Sequence, residues 1–373
     1  MAESRPAHDR PHDRDLARRL DALRAGRLAT PREALALGRL VTAETRRIGR
    51  HALPDPVLDA LADTANRHRG RDRFLDAFLD AVLARHRDRF RNAEYLALPL
   101  LEEFLRDTAF SPERLSALLL ADVVRHESRH PGAVEPALRR KRVRQAMRFL
   151  GTVERSPADD TPPRTLAGDW LELTVLPVST EHDEYFFIRA LQAHELVFTT
   201  LTGLLRSATD EVRAARPDEA TALLRRAASV FERASLLFRL VATMRPAAFH
   251  SFRRFTEGAS AIQSEAYKRF ELACGEPDPA RLDSEAFAGV PAVRAEARHH
   301  DNLARALVDG PRSEVLDAAA ADLEQAHQRW KTTHHSLAAR MLGDATGSGY
   351  TAGVPYLAAY RENRLMVVRD RAA

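Results

Sequence analysis

The stretch Trp330–Leu357, WKTTHHSLAARMLGDATGSGYTAGVPYL, decides how the rest of the chain is read. Trp330, Leu337 and Met341 recur at helical spacing with His334 and His335 between them, so the segment opens as a helix. Gly343 stops it, and Gly347, Ser348, Gly349, Thr351 and Gly353 make the following loop small and polar. A helical imidazole beside such a loop suits a flat cofactor. Its nitrogen can ligate an iron from one side, and small residues let the backbone approach a ligand's charged edge closely. By themselves, these residues also fit a surface histidine followed by a common turn.

The remaining chain bounds the fold class. Its 373 residues suffice for two domains and a large core, and a hydrophobic share of 45% with 16 glycines is ordinary for a helix-rich protein. Apolar residues recur at steps of three and four, as in Leu100, Leu101, Phe104 and Leu105, with little alternation. The expectation is all-α. Charge is nearly balanced, 57 basic against 53 acidic residues. The run Arg139-Arg140-Lys141-Arg142-Val143-Arg144, with Leu138, Val143 and Met147 at helical spacing, reads as the wet face of an amphipathic helix. Nucleic acid is not an expected partner. A single cysteine, Cys274, fits a reducing compartment. The opening residues lack an apolar core for a signal peptide, and no run reaches membrane-spanning length. The expected location is cytoplasmic.

In order, residues 1–15 read as a disordered tail and 16–155 as a helical domain of six or seven helices. Starts are signalled at Thr30-Pro31, Asp55-Pro56 and Ser111-Pro112. Residues 156–165, with three prolines, read as a linker. Residues 166–373 form a second domain, containing a long amphipathic helix over 218–244. His126-Glu127-Ser128-Arg129-His130 satisfies H-E-x-x-H, which on a helix can present two imidazoles to zinc beside a carboxylate base. Pro131-Gly132 ends the helix at once and Arg125 and Arg129 repel a dication, so a charged helix end with His130 at its negative pole is the preferred reading.

The opening stretch resembles the haem-ligand segment of tryptophan 2,3-dioxygenases, W-x-x-x-H, R-M-I-G, G-T-G-G-S-S-G and Y-L. Here those positions are Trp330, His334, Arg340-Met341-Leu342-Gly343, the loop Gly347–Gly353 and Tyr356-Leu357. Two further segments resemble the family in order. His182-Asp183-Glu184, Phe187-Ile188 and Gln192-Ala193 match its distal helix. Phe249, Phe252 and Arg253 match its P-x-x-F-x-x-F-R, and the run 258–271 matches the next part of the family pattern. The resemblance spans about 165–362 and implies haem b with His334 as proximal iron ligand and Trp330 beside it. Ser260, Lys268, Gly347 and Gly349 would contact the haem, Lys268 standing where the family has an arginine near a propionate. Arg253 would bind the substrate carboxylate, Phe187 and Phe249 would sandwich its ring, and Ser348 would hold the ammonium or a propionate. Trp170 stands where a tyrosine reaches a neighbouring subunit's pocket, so a homo-oligomer is implied.

Departures matter. The family's distal histidine is Leu191 here, and His194 is one turn further on as a partial substitute. The loop differs at Ser348, Tyr350 and Ala352. The resemblance therefore implies a haem-dependent oxygenase of a free aromatic amino acid, inserting O2 at the indole C2–C3 bond or a variant of that reaction. One alternative is an O2- or peroxide-dependent mono-oxygenase acting on tyrosine or a tryptophan derivative in natural-product biosynthesis. Another is a non-catalytic haem-binding regulator, for which a carboxylate clamp such as Arg253 would be superfluous.

Overall fold

The computed structural model describes residues 30–84, 91–154, 160–256, 263–297, 301–311, 313–343 and 353–369. In chain order the helices are α1 (Pro31–Ile48), α2 (Asp55–His68), α3 (Arg73–Leu83), α4 (Asn92–Tyr95), α5 (Leu98–Asp107), α6 (Pro112–Arg129) and α7 (Pro136–Leu150). They continue as α8 (Leu166–Leu171), α9 (His182–Arg213), α10 (Pro217–Val241), α11 (Pro246–Arg253) and α12 (Glu265–Cys274). Last come α13 (Pro279–Leu282), α14 (Glu285–Ala288), α15 (Pro291–Glu296), α16 (Leu303–Asp309), α17 (Glu314–Leu342) and α18 (Val354–Ala359). Among the described residues there is no strand, so the chain is all-α as its periodicity implies. No described helix is long and apolar enough to cross a membrane.

Two compact units emerge: residues 1–108 with 162–180, and residues 109–161 with 181–373. They do not follow the 156–165 boundary read from the sequence, because α6 and α7 group with the second unit and α8 with the first. The tail at 1–15 lies outside the described residues, as do residues 156–159 of the linker.

In the first unit α1 is closed by a capping box. The Thr30 hydroxyl accepts from the Glu33 N–H (3.3 Å), and Glu33 accepts from the Thr30 N–H (2.9 Å). The core is built around Trp170 of α8, which is fully buried. Its ring stacks on Phe74 (6.1 Å, 5°) and tilts against Phe78 (5.6 Å). Gly38 of α1 makes room for it; a Cβ there would lie 2.6 Å from the indole. Trp170 is therefore a core residue of its own unit and not the substrate contact that the resemblance implied. Burying so large an apolar ring against two phenylalanines is favourable, and it leaves no indole surface to reach elsewhere.

In the second unit α9 and α17 both pack on α10. Ala220, Leu224, Ala227, Phe231, Ala234 and Phe238 recur along α10 as a wide buried stripe that serves both neighbours. That helix runs 217–241, slightly shorter than the 218–244 expected at its C-terminal end. Helices α6 and α12 pack on α9, and α11 touches both α9 and α17. Leu272 of α12 forms a small core with Phe287, Val290 and Val293 from the segment spanning α14 and α15.

The basic run at 139–144 is not uniformly wet. Arg140, Lys141 and Arg144 are exposed, but Arg142 is fully buried, whereas the apolar Met147 is half exposed. Arg142 donates to Glu127 of α6 (2.7 Å) and to Asp183 of α9 (2.8 Å), both also fully buried, and lies 3.8 Å over the Phe186 ring. Two carboxylates thus repay one guanidinium's lost hydration. A second tie joins α6 to α9, where Asp122 accepts from Arg189 (2.8 Å) and from the Tyr185 hydroxyl (2.7 Å). Burial would raise the Asp122 carboxyl, but Arg189, Tyr185 and Arg125 win and hold it down at about 2.

Arg142→Ala should cost about 3–5 kcal/mol, because it strands two buried carboxylates. Loss of the exposed Arg329–Glu232 pair through Arg329→Ala should cost under ~1 kcal/mol. Urea unfolding of the two variants checks the contrast. A depressed carboxyl contributes stability above its unfolded pKa of ~4, lost as pH falls toward the folded value of about 2. Asp122→Asn should accordingly flatten the stability profile across that acid limb.

Candidate functional site

Asp183 positions the site. Besides Arg142, it accepts from the Arg245 N–H (3.4 Å) and faces the Arg245 guanidinium (3.7 Å), so one carboxylate fixes the starts of both α9 and α11. Phe187 follows one turn into α9, and Phe249 and Arg253 follow on α11. Between residues 186 and 198 of α9 every side chain is buried except Phe187 and Leu191, which stay partly open one turn apart. The α11 aromatics meet this opening: Phe187 lies 5.9 Å from Phe249 and 5.3 Å from the buried Phe252. Arg253 sits 5.9 Å from the Phe249 ring centre, partly open, and burial lowers its pKa.

Phe187 and Phe249 therefore touch each other edge to face, at 67°. A ring sandwiched between them would need their centres about 7 Å apart, twice the contact distance of carbon atoms. The sandwich expected from the resemblance is corrected to a single aromatic wall.

His334 lies on α17, half-buried, and stacks on Phe238 of α10 (5.0 Å, 14°) with Trp330 one turn behind it (5.5 Å). Burial, then the neighbouring His335, pull its imidazole down to about 4. At neutral pH the ring is uncharged and keeps a nitrogen lone pair. His194 also lies against Phe238, tilted at 4.8 Å. It is buried, its Nδ1 is 3.1 Å from the Ala190 carbonyl, and burial brings it to about 4, partly offset by that carbonyl. The structure turns His194 into the α9–α10 interface and leaves only Leu191 at the opening, so His194 does not stand in for the missing histidine. Phe238 was missed in the sequence, although its seven-residue step from Phe231 placed it on the buried stripe.

Lys268 is buried on α12 with its ammonium 5.6 Å from the Phe287 ring centre. Burial lowers its pKa to about 8, against the pull of Glu271. Ser260, Gly347, Ser348 and Gly349 lie outside the described residues.

The H-E-x-x-H segment resolves differently. His130 caps α6, its Nδ1 2.9 Å from the His126 carbonyl, while His126 stacks flat on Tyr185 (3.7 Å). Glu127 is held by Arg142 and by His182 (3.1 Å). Among the described residues no group of three or more His, Cys, Asp or Glu side chains is arranged for a metal ion. A haem needs only one protein nitrogen, since the porphyrin supplies the other four, and a neutral, half-buried His334 fits that requirement.

Comparison with known proteins finds similarity to one family over part of the chain. The tryptophan 2,3-dioxygenase family profile matches residues 172–292, which include Phe187, Leu191, Phe249 and Arg253. Proteins named tryptophan 2,3-dioxygenase are similar over about half of this chain. That of Anaeromyxobacter dehalogenans is 29% identical over 230 residues, covering 52% of this chain and 87% of that protein. Those of Pseudomonas aeruginosa and Burkholderia multivorans are 25% and 26% identical over 237 residues, 51% of this chain and 82% and 76% of theirs.

Titration of the imidazole NMR signals should place His334 and His194 near about 4. Both pKa values are lowered on folding, so the unfolded chain protonates first. The histidine contribution to stability is intact above ~6.5 and declines as pH falls toward about 4. His334→Gln should remove part of that decline.

Proposed function

We propose that this chain, which carries a tryptophan 2,3-dioxygenase superfamily domain, is a haem-dependent oxygenase acting on a free aromatic amino acid. The observation that carries the reading is α11. It touches both α9 and α17, bringing Phe249 and Arg253 against the opening at Phe187 and Leu191 and linking them to the helix of His334.

Each residue then has a task. His334 offers a neutral nitrogen, and Phe238 and Trp330 restrict its ring. Bound through it, haem would supply the oxygen-activating chemistry that side chains lack. Arg253 presents a planar guanidinium to the substrate carboxylate, with Phe249 limiting its swing. Phe187 and Phe249 provide the wall on which the ring rests, and the clamp and wall together set ring position. Leu191 excludes water and offers an indole N–H no acceptor. We assign the ammonium or a propionate to Ser348 and its loop.

Leu191 also favours a second outcome. With no donor or acceptor there to orient substrate and oxygen, insertion of one atom, from O2 or a peroxide, into tyrosine or a tryptophan derivative competes with insertion of two.

The test is spectroscopic and then chemical. Haem-reconstituted protein should show a Soret band that His334→Ala abolishes and that shifts with tryptophan or tyrosine; product mass separates one added oxygen from two. Arg253→Ala should lower kcat/KM on the order of 100-fold, the equivalent of ~3 kcal/mol for a lost charge-assisted contact. A reconstituted protein with no Soret band would overturn the proposal.

A further inference from the structure

Behind His334, α17 carries Trp330 and His327 on the same face, four and seven residues earlier. Trp330 is buried and meets Tyr267 of α12 in a near-parallel stack, 5.4 Å and 24°. The Tyr267 hydroxyl lies 3.0 Å from His327 Nε2, and His327 Nδ1 lies 3.8 Å from Glu324. Glu324 is itself held in place by the Leu365 N–H (2.8 Å), the Met366 N–H (3.2 Å) and Gln328 (3.1 Å). Phe198, Phe231 and Phe270 pack around the group, in which Trp330 and His327 are buried and Tyr267 is partly so. Trp330 is the one member that also flanks the His334 ring; Tyr267, His327 and Glu324 take no part in the aromatic wall, the carboxylate clamp or the iron-ligand position.

The two oxidisable rings differ in one respect. The Trp330 indole N–H is buried and has no hydrogen-bond partner among the described residues. The Tyr267 hydroxyl has one. Burial holds its pKa well above the ordinary value, so the phenol keeps its proton and donates it. Glu324 favours a proton on His327 Nδ1, which leaves Nε2 as the acceptor. Burial would raise the Glu324 carboxyl, but His327 and the two backbone N–H groups hold it at about 2, so it stays anionic. An oxidised indole that cannot shed its proton remains a strong oxidant. An oxidised phenol with a waiting base becomes a neutral radical and holds the deficit.

We propose that Trp330 and Tyr267 form an electron relay that drains one-electron oxidation away from the His334 end and leaves it on Tyr267. The step balances: the Trp330 radical cation takes one electron from Tyr267 and returns to neutral indole. The Tyr267 O–H proton moves to His327 Nε2, giving a tyrosyl radical and an imidazolium beside the Glu324 carboxylate. The oxidant is of the peroxide class, to which any oxygen-handling site is exposed; each peroxide carries two oxidising equivalents, and the relay takes one. The relay rests on the haem-oxygenase reading only for the source of that oxidant.

Laser photoionisation of indole in the full-length protein without haem tests it directly, with hexaamminecobalt(III) trapping the ejected electron. An indole radical signal should decay as a tyrosyl absorption and EPR signal grows, more slowly in heavy water because a proton moves with the electron. Tyr267→Phe should abolish the fast tyrosyl signal, Trp330→Phe should prevent its formation, and His327→Gln should slow it and remove the isotope effect. Equal tyrosyl yields in Tyr267→Phe or Trp330→Phe would overturn the relay. After haem reconstitution, hydrogen peroxide should bleach the Soret band faster in Tyr267→Phe than in the native protein, and equal rates would overturn the protective role. Absence of a Soret band would count against the haem reading alone, because the flash measurement stands without it.

Discussion

A buried arginine governs how the second unit is assembled. Arg142 has no access to water, and its charge is tolerable only because Glu127 and Asp183 converge on it from two other helices. Against well-packed apolar side chains such a triad need not add net stability. What it does is restrict geometry: sliding α6, α7 or α9 by one residue would leave a buried charge without its partner. Asp183 extends the restriction to α11 through Arg245. The facing of Phe187, Phe249 and Arg253 is thus inherited from an ionic contact closed to solvent.

The same interaction explains why the units cross the linker. Helices α6 and α7 precede the proline-rich segment in the chain, yet Glu127 and Arg142 belong electrostatically to the helix that follows it. It also settles the H-E-x-x-H segment. The glutamate that would serve a metal-bound water is already committed to Arg142 and His182, and one imidazole is flat against Tyr185. A motif defined by spacing reports which side chains share a helical face, not what already occupies them.

Around His334 the contrast is between rings that are closed in and rings that stay partly open. Phe238 touches two neutral imidazoles, His194 sealed within the α9–α10 interface and His334 half-open on α17. Both are kept uncharged by desolvation, but of the two only His334 stays partly open. Leu191 and Phe187 show the same logic, two apolar side chains left partly open on a helix buried elsewhere along that stretch. Partly open apolar side chains beside a partly open arginine would suit the proposed ligand, with its apolar body and one charged end.

The sequence by itself determined the helical class, several helix starts, and the order of the segments that bear Phe187, Phe249, Arg253 and His334. Periodicity, prolines and caps act over a few residues, so they are legible without a partner. Tertiary structure decided which of those residues meet. Trp170 became core because Gly38, Phe74 and Phe78, distant in the chain, enclose it. Arg142 became buried because two remote carboxylates reach it, and Phe187 met Phe249 instead of facing it across a gap. Each of these outcomes depends on contacts between segments tens of residues or more apart. Local propensity cannot encode them; burial and charge pairing select them only when the helices pack.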